Sequence, residues 1–479
     1  MPRRPMLQPT PLLPAGRPAF PGRGLAGGGL NSAAMATPLP PALILTMAFA
    51  LALVAGLAVK FWLASRQVRH VARHRNAVPA AFRQAITLDA HQKAADYTIA
   101  KTRFGLLELA WGAAVLLAWT LFGGLDLLNR LLLDPLGGGM WQQLALLAAF
   151  ALIGGLLELP FTLWQTFRLE ERFGFNKMSM KLWLLDTIKG TLVGAVIGLP
   201  LLWVVLTLMD RSGGLWWLYA WIVFSAFQLL MMVLYPTVIA PMFNKFSPLA
   251  DESLKNRIEG LMARVGFASK GLFVMDGSKR SAHGNAYFSG FGANKRIVFF
   301  DTLLERLAPA EIEAVLAHEL GHFKLKHIVK RIVVAFALSL VFLALLGWLK
   351  NQVWFYTGLG VLPLLGQNND AMALLLFMLV LPVFTFPFAP LTSITSRKHE
   401  FEADAFAASH SDARDLVSAL VKMYEDNAST LTPDPLHSTF YDSHPPASIR
   451  IRRLHEAGTL AGTGTGLGSG SGAAGMEAA

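Results

Sequence analysis

His318, Glu319 and His322 form the pattern H-E-x-x-H inside EIEAVLAHELGHFKLKH, which runs from Glu311 to His327. The stretch reads as a helix, because Pro309 stands near its start and Glu311 and Glu313 fall in its first turn. Histidines at i and i+4 project from one helical face and can bind a single metal ion. The glutamate between them is placed to take a proton from water on that metal. A chance match on an amphipathic helix is the competing reading. The chain has no cysteine, which excludes disulfides, thiolate nucleophiles and cysteine metal sites. Any metal must use His, Asp or Glu.

A hydrolytic zinc site wants a third protein ligand and one position open to water. Further along, SRKHEFEADAFA offers Glu400 and Asp404 at i and i+4 on one face of a second expected helix. These two carboxylates are either partners of the histidines or a solvated acidic face. The elements between them and the motif discriminate the two readings.

Those elements lie in lipid. Of the 479 residues, 54% are hydrophobic and only 15% charged, too apolar for a set of soluble domains. Apolar stretches of the roughly 20 residues needed to cross a bilayer recur between short polar connections. Seven membrane helices are expected, at about 41–64, 105–128, 141–166, 183–209, 215–240, 332–349 and 372–395. The sixth and seventh fall between the H-E-x-x-H helix and Glu400, and two crossings return a chain to the side it left. Glu400 is therefore the expected third ligand, and Asp404 an acceptor that orients a metal-bound imidazole. His399 points about 100° away on the same helix and is a poorer candidate.

The expected organisation is a disordered extension over 1–35, membrane helices one to five over 36–241, and a catalytic part with the H-E-x-x-H motif over 242–331. Helices six and seven follow over 332–395, then a C-terminal catalytic segment over 396–460 and a flexible tail over 461–479. Met35 offers an alternative start, under which the Pro- and Gly-rich stretch before it would not be translated. Within the catalytic part, an amphipathic helix from Glu252 to Val265 precedes the strand-like segments LFVMD and RIVFFD.

The formal charge of +11 is distributed mostly in alternate loops, as membrane topology requires, and no basic domain stands apart to bind nucleic acid. The loop after the first helix carries Arg66, Arg69, Arg73, Arg75, Arg83, Lys93, Lys101 and Arg103, the next only Arg130, and the sixth only Lys350. Odd-numbered loops are thus expected in the cytoplasm, with the N-terminus outside and the catalytic part and C-terminus inside. Four arginines within residues 1–35 run against that placement and favour a start at Met35. Glu108, Glu158, Asp186 and Lys189 fall in or near membrane depth, where they either line a water-filled cavity or serve as helix-end charges and structural ion pairs.

HELGH, SRKHEFEADAFA, HGNAYFSGF (His283 to Phe291) and SHPPASIRI (Ser443 to Ile451) together resemble the type I CAAX prenyl proteases, integral-membrane zinc metallopeptidases. LDAHQKAADYTIAKTRF and FRLEERFGFNK extend the similarity upstream, so that it covers about 40–455. The resemblance implies a predominantly α, polytopic membrane protein: seven helices forming a barrel-like chamber, with a small α+β metallopeptidase part. It implies one Zn2+ per chain on His318, His322 and Glu400, Glu319 as general base, and His444 and Arg450 helping to complete the site. It also implies that Asn285 and Ala286, with Tyr287 beside them, lie on an edge strand that pairs with substrate backbone. Against these stand a turn role for Asn285, a loop role for His444 and a surface ion pair for Arg450.

The activity expected is peptide-bond hydrolysis by a monomer, on a peptide or protein that is membrane-associated or carries a prenylated CAAX-type terminus. The composition, without cysteine and rich in Ala, Gly and Leu, suggests a bacterial inner membrane, where broad quality control of membrane proteins is an alternative task. A transporter or channel is the alternative from another class. It would need broken, repeat-related helices around a midplane site, whereas the metal-binding residues here gather at one membrane face.

Overall fold

The structure, a computed structural model, describes residues 39–289, 295–364 and 366–464. The extension over 1–35 lies outside the described residues, as do Gly290 and Phe291 of HGNAYFSGF and everything after Gly464. Residues 461–464, expected in the tail, continue the last helix, Ala447–Gly464.

Among the described residues, seven helices are long and apolar enough to span a bilayer: Pro41–His74, Leu88–Trp119, Met140–Phe173, Met180–Arg211, Gly213–Phe243, His327–Leu349 and Asp370–His410. A 32-residue helix such as the second is about 48 Å long against a hydrocarbon core of roughly 30 Å. Its ends therefore project beyond lipid. Arg66, Arg69 and Arg73, expected in a loop, lie on such a projecting end of the first helix.

The second helix is displaced from its expected 105–128. It starts at Leu88, where the Thr87 hydroxyl accepts from the Ala90 N–H at 3.2 Å and caps the first turn. It stops at Trp119, because the chain turns through Gly123 in the left-handed region (φ 76). A Cβ on the adjacent Gly124 would lie 2.5 Å from the Ala118 carbonyl oxygen, so the backbone packs there as only glycine allows. Residues 124–128 of the expected span instead begin a separate amphipathic helix, Gly124–Leu136.

At the other end of the bundle a buried ion pair ties three spans together. Lys350 Nζ donates to Asp370 Oδ1 and to the Met209 carbonyl, both at 2.8 Å, which anchors the start of the seventh span to the ends of the fourth and sixth. Asp186 and Lys189, left open by the sequence, make structural contacts. Asp186 pairs with Arg280 at 2.9 Å, and Lys189 donates to the Met242 carbonyl at 2.9 Å.

The part between the fifth and sixth spans contains helix Glu252–Val265 and a four-stranded sheet of β1 (Phe246–Pro248), β2 (Leu272–Met275), β3 (Ala286–Ser289) and β4 (Arg296–Phe300). The order is β1-β2-β4-β3, with β2 and β4 parallel and β3 antiparallel to β4 in the register Ala286↔Phe299. Strand β3 is thus an edge. Leu272, Ile297 and Phe299 bury one sheet face against Leu254, Ile258 and Leu261 and against Ile312, Leu316 and Leu320 of the motif helix, Pro309–Lys324. Glu311 closes the start of that helix by accepting from the Ala308 N–H at 2.6 Å, satisfying a donor that has no partner inside the helix.

The seventh span is interrupted. Pro387 and Pro390 lack N–H donors, and a short 3-10 turn, Phe386–Phe388, separates Asp370–Thr385 from a second segment, Ala389–His410, that leaves the membrane and packs on the motif helix. The contact is close: a Cβ on Gly321 would meet Ala403 Cα and Phe406 Cβ, each at 3.1 Å. Gly321→Val is therefore expected to force the helices apart and to lower stability by about 1–3 kcal/mol, read as a lower thermal transition of the detergent-solubilised protein. An unchanged transition would contradict the close packing.

Candidate active site

The motif helix is buried from Glu311 to Gly321 at every position except Glu319, which is half-buried. One turn of this helix presents His318 and His322 to Glu400 of the neighbouring helix. His318 Nε2 lies 3.5 Å from Glu400 Oε2, His322 Nε2 lies 3.3 Å from Glu400 Oε1, and the two Nε2 atoms are 3.3 Å apart. Glu400 Oε2 is buried and has no hydrogen-bond partner among the described residues. A buried anionic oxygen without a partner is costly, and two imidazole nitrogens facing the same carboxylate form a donor set that a divalent cation would complete.

The carboxylate behind His318 fixes its orientation. Asp404 Oδ1 lies 2.9 Å from His318 Nδ1, so Nδ1 carries the hydrogen and Nε2 is left free. Burial opposes the charged form of His318, but the adjacent Asp404 and Glu400 carboxylates outweigh it and lift its pKa to about 9. Without a cation the pocket holds a proton there, which a metal would displace. Arg450 completes the buried charge balance: Nη2 and Nε donate to the two Asp404 oxygens at 2.6 and 2.9 Å, and Nη1 is 3.7 Å from Glu400 Oε2. At 5% exposure Arg450 is an interior cation, and the surface-pair reading is corrected.

His444 Nε2 comes within 3.5 Å of Glu400 Oε1 and its Nδ1 within 3.0 Å of Ser443 Oγ. The His444 side chain is 59% exposed; partial desolvation draws its pKa below the ordinary histidine value, Glu400 opposes this, and Arg450 and His318 add to it. The shift favours the neutral ring, and a neutral imidazole keeps one N–H to donate. Glu319 faces it electrostatically. His444 also lines a cavity of about 840 Å³ between the first two membrane helices and the C-terminal segment, with Lys60, Tyr97, His283, Tyr424 and Asn427.

The structure therefore brings together His318, His322, Glu400, Asp404, Arg450 and His444. Asn285, Ala286 and Tyr287 sit at and just before edge strand β3, Asn285 exposed and accepting from the Phe300 N–H at 2.9 Å. No hydrogen bond joins these three to the cluster among the described residues. A cavity-wall network went unread in the sequence. His283 stacks on Phe175 at 4.4 Å, shares a hydrogen bond with Asn427 at 2.9 Å, and lies 3.7 Å from Glu170, which accepts from Tyr97 at 2.7 Å. Tyr97, Glu170 and Phe175 come from the upstream segments quoted above, His283 from HGNAYFSGF and Asn427 from none of them, and no fixed spacing pairs them.

Comparison with known proteins agrees along the chain. Residues 67–245 match the family model described as CAAX prenyl protease N-terminal, five membrane helices, and residues 248–457 match Peptidase family M48. The Saccharomyces cerevisiae CAAX prenyl protease 1 is 34% identical over 79% of this chain and 88% of its own. The Arabidopsis thaliana CAAX prenyl protease 1 homolog is 37% identical over 70% of this chain and 78% of its own. The chain belongs to the CAAX prenyl protease family of M48 metallopeptidases. A crystal structure of S. mikatae Ste24p superposes with a TM-score of 0.80 at 31% identity, covering 87% of this chain and all of that one. The protein is thus a metal-dependent hydrolase of peptides or proteins, built as a helical chamber in a membrane, and the metallopeptidase reading holds over the transporter.

Removing the buried guanidinium tests the charge balance. Arg450→Met leaves Asp404 and Glu400 without their cation and is expected to cost about 3–5 kcal/mol, measured as a lowered thermal transition. A variant as stable as the parent would contradict it.

Proposed function

We propose that the protein is a zinc endopeptidase with one Zn2+ held by His318, His322 and Glu400, acting on membrane-associated proteins of the prenylated CAAX type. The observation that carries the proposal is the convergence of two Nε2 atoms on the Glu400 carboxylate, whose Oε2 has no hydrogen-bond partner among the described residues, next to a cavity walled by membrane helices. Two nitrogens and one oxygen, with no sulfur, suit Zn2+ in a catalytic site. When bound, zinc supplies Lewis acidity, polarising the scissile carbonyl and bringing the pKa of water toward about 7.

The chain's own groups do the rest. Glu319 takes the proton of the attacking water and delivers it to the leaving amine nitrogen. The neutral His444 donates an N–H to the carbonyl oxygen as charge develops there. Asp404 holds the His318 ring with Nε2 forward, and Arg450 keeps Asp404 ionised and in place. Substrate lies extended along β3, its backbone hydrogen-bonding at the strand edge near Asn285, Ala286 and Tyr287.

In this division of labour, segments 36–241 and 332–395 enclose the substrate, and segments 242–331 and 396–460 carry the chemistry. The protein acts as a monomer in a bacterial inner membrane, its N-terminus outside and its catalytic part in the cytoplasm. Supporting that placement is the concentration of Lys and Arg in odd-numbered loops.

Two measurements test the proposal. In purified protein, His318→Ala and Glu400→Ala are expected to lose zinc, and Glu319→Gln to keep zinc and lose cleavage of a prenylated peptide. His444→Ala is expected to keep zinc and turn over roughly 100- to 1,000-fold more slowly. Full cleavage by Glu319→Gln would overturn its role as base, and metal loss in His444→Ala would make that residue a ligand. Separately, a reporter fused after Arg453 is expected to read cytoplasmic and one near Asp210 external; the reverse pattern would overturn the orientation.

A further inference from the structure

His318 has Asp404 behind its Nδ1, but the second histidine of the motif has, among the described residues, no carboxylate behind its own Nδ1. What lies behind it is another imidazole. His322 Nδ1 is 3.0 Å from His327 Nδ1, and His327 Nε2 is 2.8 Å from Glu402 Oε2. His327 is 1% exposed, whereas the Glu402 side chain is 36% exposed at the surface end of this chain of contacts. The approach requires a backbone reversal. Lys326 adopts the left-handed conformation (φ 57) between the motif helix and the sixth membrane helix, turning His327 back against the helix it has just left. A non-glycine residue in that conformation is uncommon.

With both imidazoles neutral, proton counting gives these contacts one arrangement. A carboxylate only accepts, so His327 must donate to Glu402 from Nε2–H. A neutral imidazole has one N–H, so His327 Nδ1 is then a lone pair. Two facing nitrogens bond only if one bears hydrogen, so His322 Nδ1 must donate. His322 Nε2, the atom beside Glu400, is thereby left as a lone pair.

We propose that Glu402 and His327 form a hydrogen-bonded relay that fixes the tautomer and ring orientation of His322, so that its Nε2 is held free for the metal. The proposal rests on the reading of His322 as a ligand. Glu402 and His327 are positioning residues: they act on the metal through His322. The two motif histidines would then be oriented by different devices, a direct carboxylate for His318 and a carboxylate working through an imidazole for His322.

The same region offers a rival reading. His327, His399 and Glu402 have ligand atoms within 4.8 Å of one another, a spacing that could hold a second metal ion. Two features disfavour it. The His327 and His399 rings are stacked, with centroids 4.0 Å apart and planes 12° from parallel. Imidazole lone pairs lie in the ring plane, so the lone pairs of stacked rings run side by side rather than converge. A metal on His327 Nε2 would also move that ring's proton to Nδ1, reversing the bond to His322 and removing the lone pair that the first site needs. His399 instead serves as a platform that sets the plane of His327.

The test compares zinc affinities of full-length protein in detergent, by competition with a chromogenic chelator. Asn superimposes its Oδ1 on the position of His Nδ1 and keeps an acceptor for His322, whereas Leu does not. His327→Leu is expected to weaken zinc binding roughly 10- to 100-fold, and His327→Asn to recover most of the loss. The half-exposed Glu402 supplies a second pair that spares the core: Glu402→Gln, which still accepts from His327, is expected near the parent, and Glu402→Leu clearly weaker. Affinities within twofold of the parent throughout, or Asn and Gln as weak as the two Leu variants, would overturn the relay. Two zinc ions per chain, falling to one in His399→Ala, would overturn it in favour of the second metal site. His322→Ala with parental zinc affinity would instead overturn the underlying reading of His322 as a ligand.

Discussion

Gly321 lets two helices separated by a pair of membrane crossings approach to backbone contact, and the cation site exists only at that approach. The histidines reach no further than a side chain from helix Pro309–Lys324, and Glu400 no further than a side chain from helix Ala389–His410. With Ala403 and Phe406 at 3.1 Å from where a Cβ would stand, there is no slack in that interface. The sixth and seventh spans therefore do more than anchor the enzyme. They form a hairpin whose two ends must emerge side by side, and the Lys350–Asp370 pair holds that hairpin at its far turn.

The site is also a concentration of buried charge. Glu400 and Asp404 are 3% and 4% exposed, and Arg450 and His318 are 5% and 6% exposed. Removing so much charge from water is expensive unless every partner is in place. The arrangement is balanced around an intended cation: Asp404 is satisfied by Arg450 and His318, while Glu400 keeps one oxygen without a hydrogen bond. Glu319 is half-buried and His444 exposed, and in the proposed mechanism theirs is the side that water and substrate would reach. A buried donor set beside an open cavity is what the proposed hydrolysis inside a membrane protein requires.

What the sequence disclosed followed its periodicities. His318 and His322 were legible because both lie on one helical face, and Glu400 and Asp404 because two crossings bring the chain back to the same side. Arg450 and His444 were reached only through resemblance, since a residue that joins a site from a separate C-terminal segment has no fixed spacing from the others. Strand β3 lies at the sheet edge, as the resemblance implied. The second membrane helix was misplaced because its polar first turns look like loop, and because the break at Gly123 and Gly124 lies within an apolar stretch. His327 carried no signal at all: its contact with His322 depends on a left-handed backbone at Lys326, a residue type that does not announce one. His399, the poorer ligand candidate from its helical position, stacks one layer further back against His327.

The most direct test of the site is diffraction from zinc-loaded protein at the zinc absorption edge. One anomalous peak is expected, roughly 2.0–2.2 Å from His318 Nε2, His322 Nε2 and a Glu400 oxygen. A peak placed instead among His327, His399 and Glu402, or coordination that leaves out Glu400, would contradict the account.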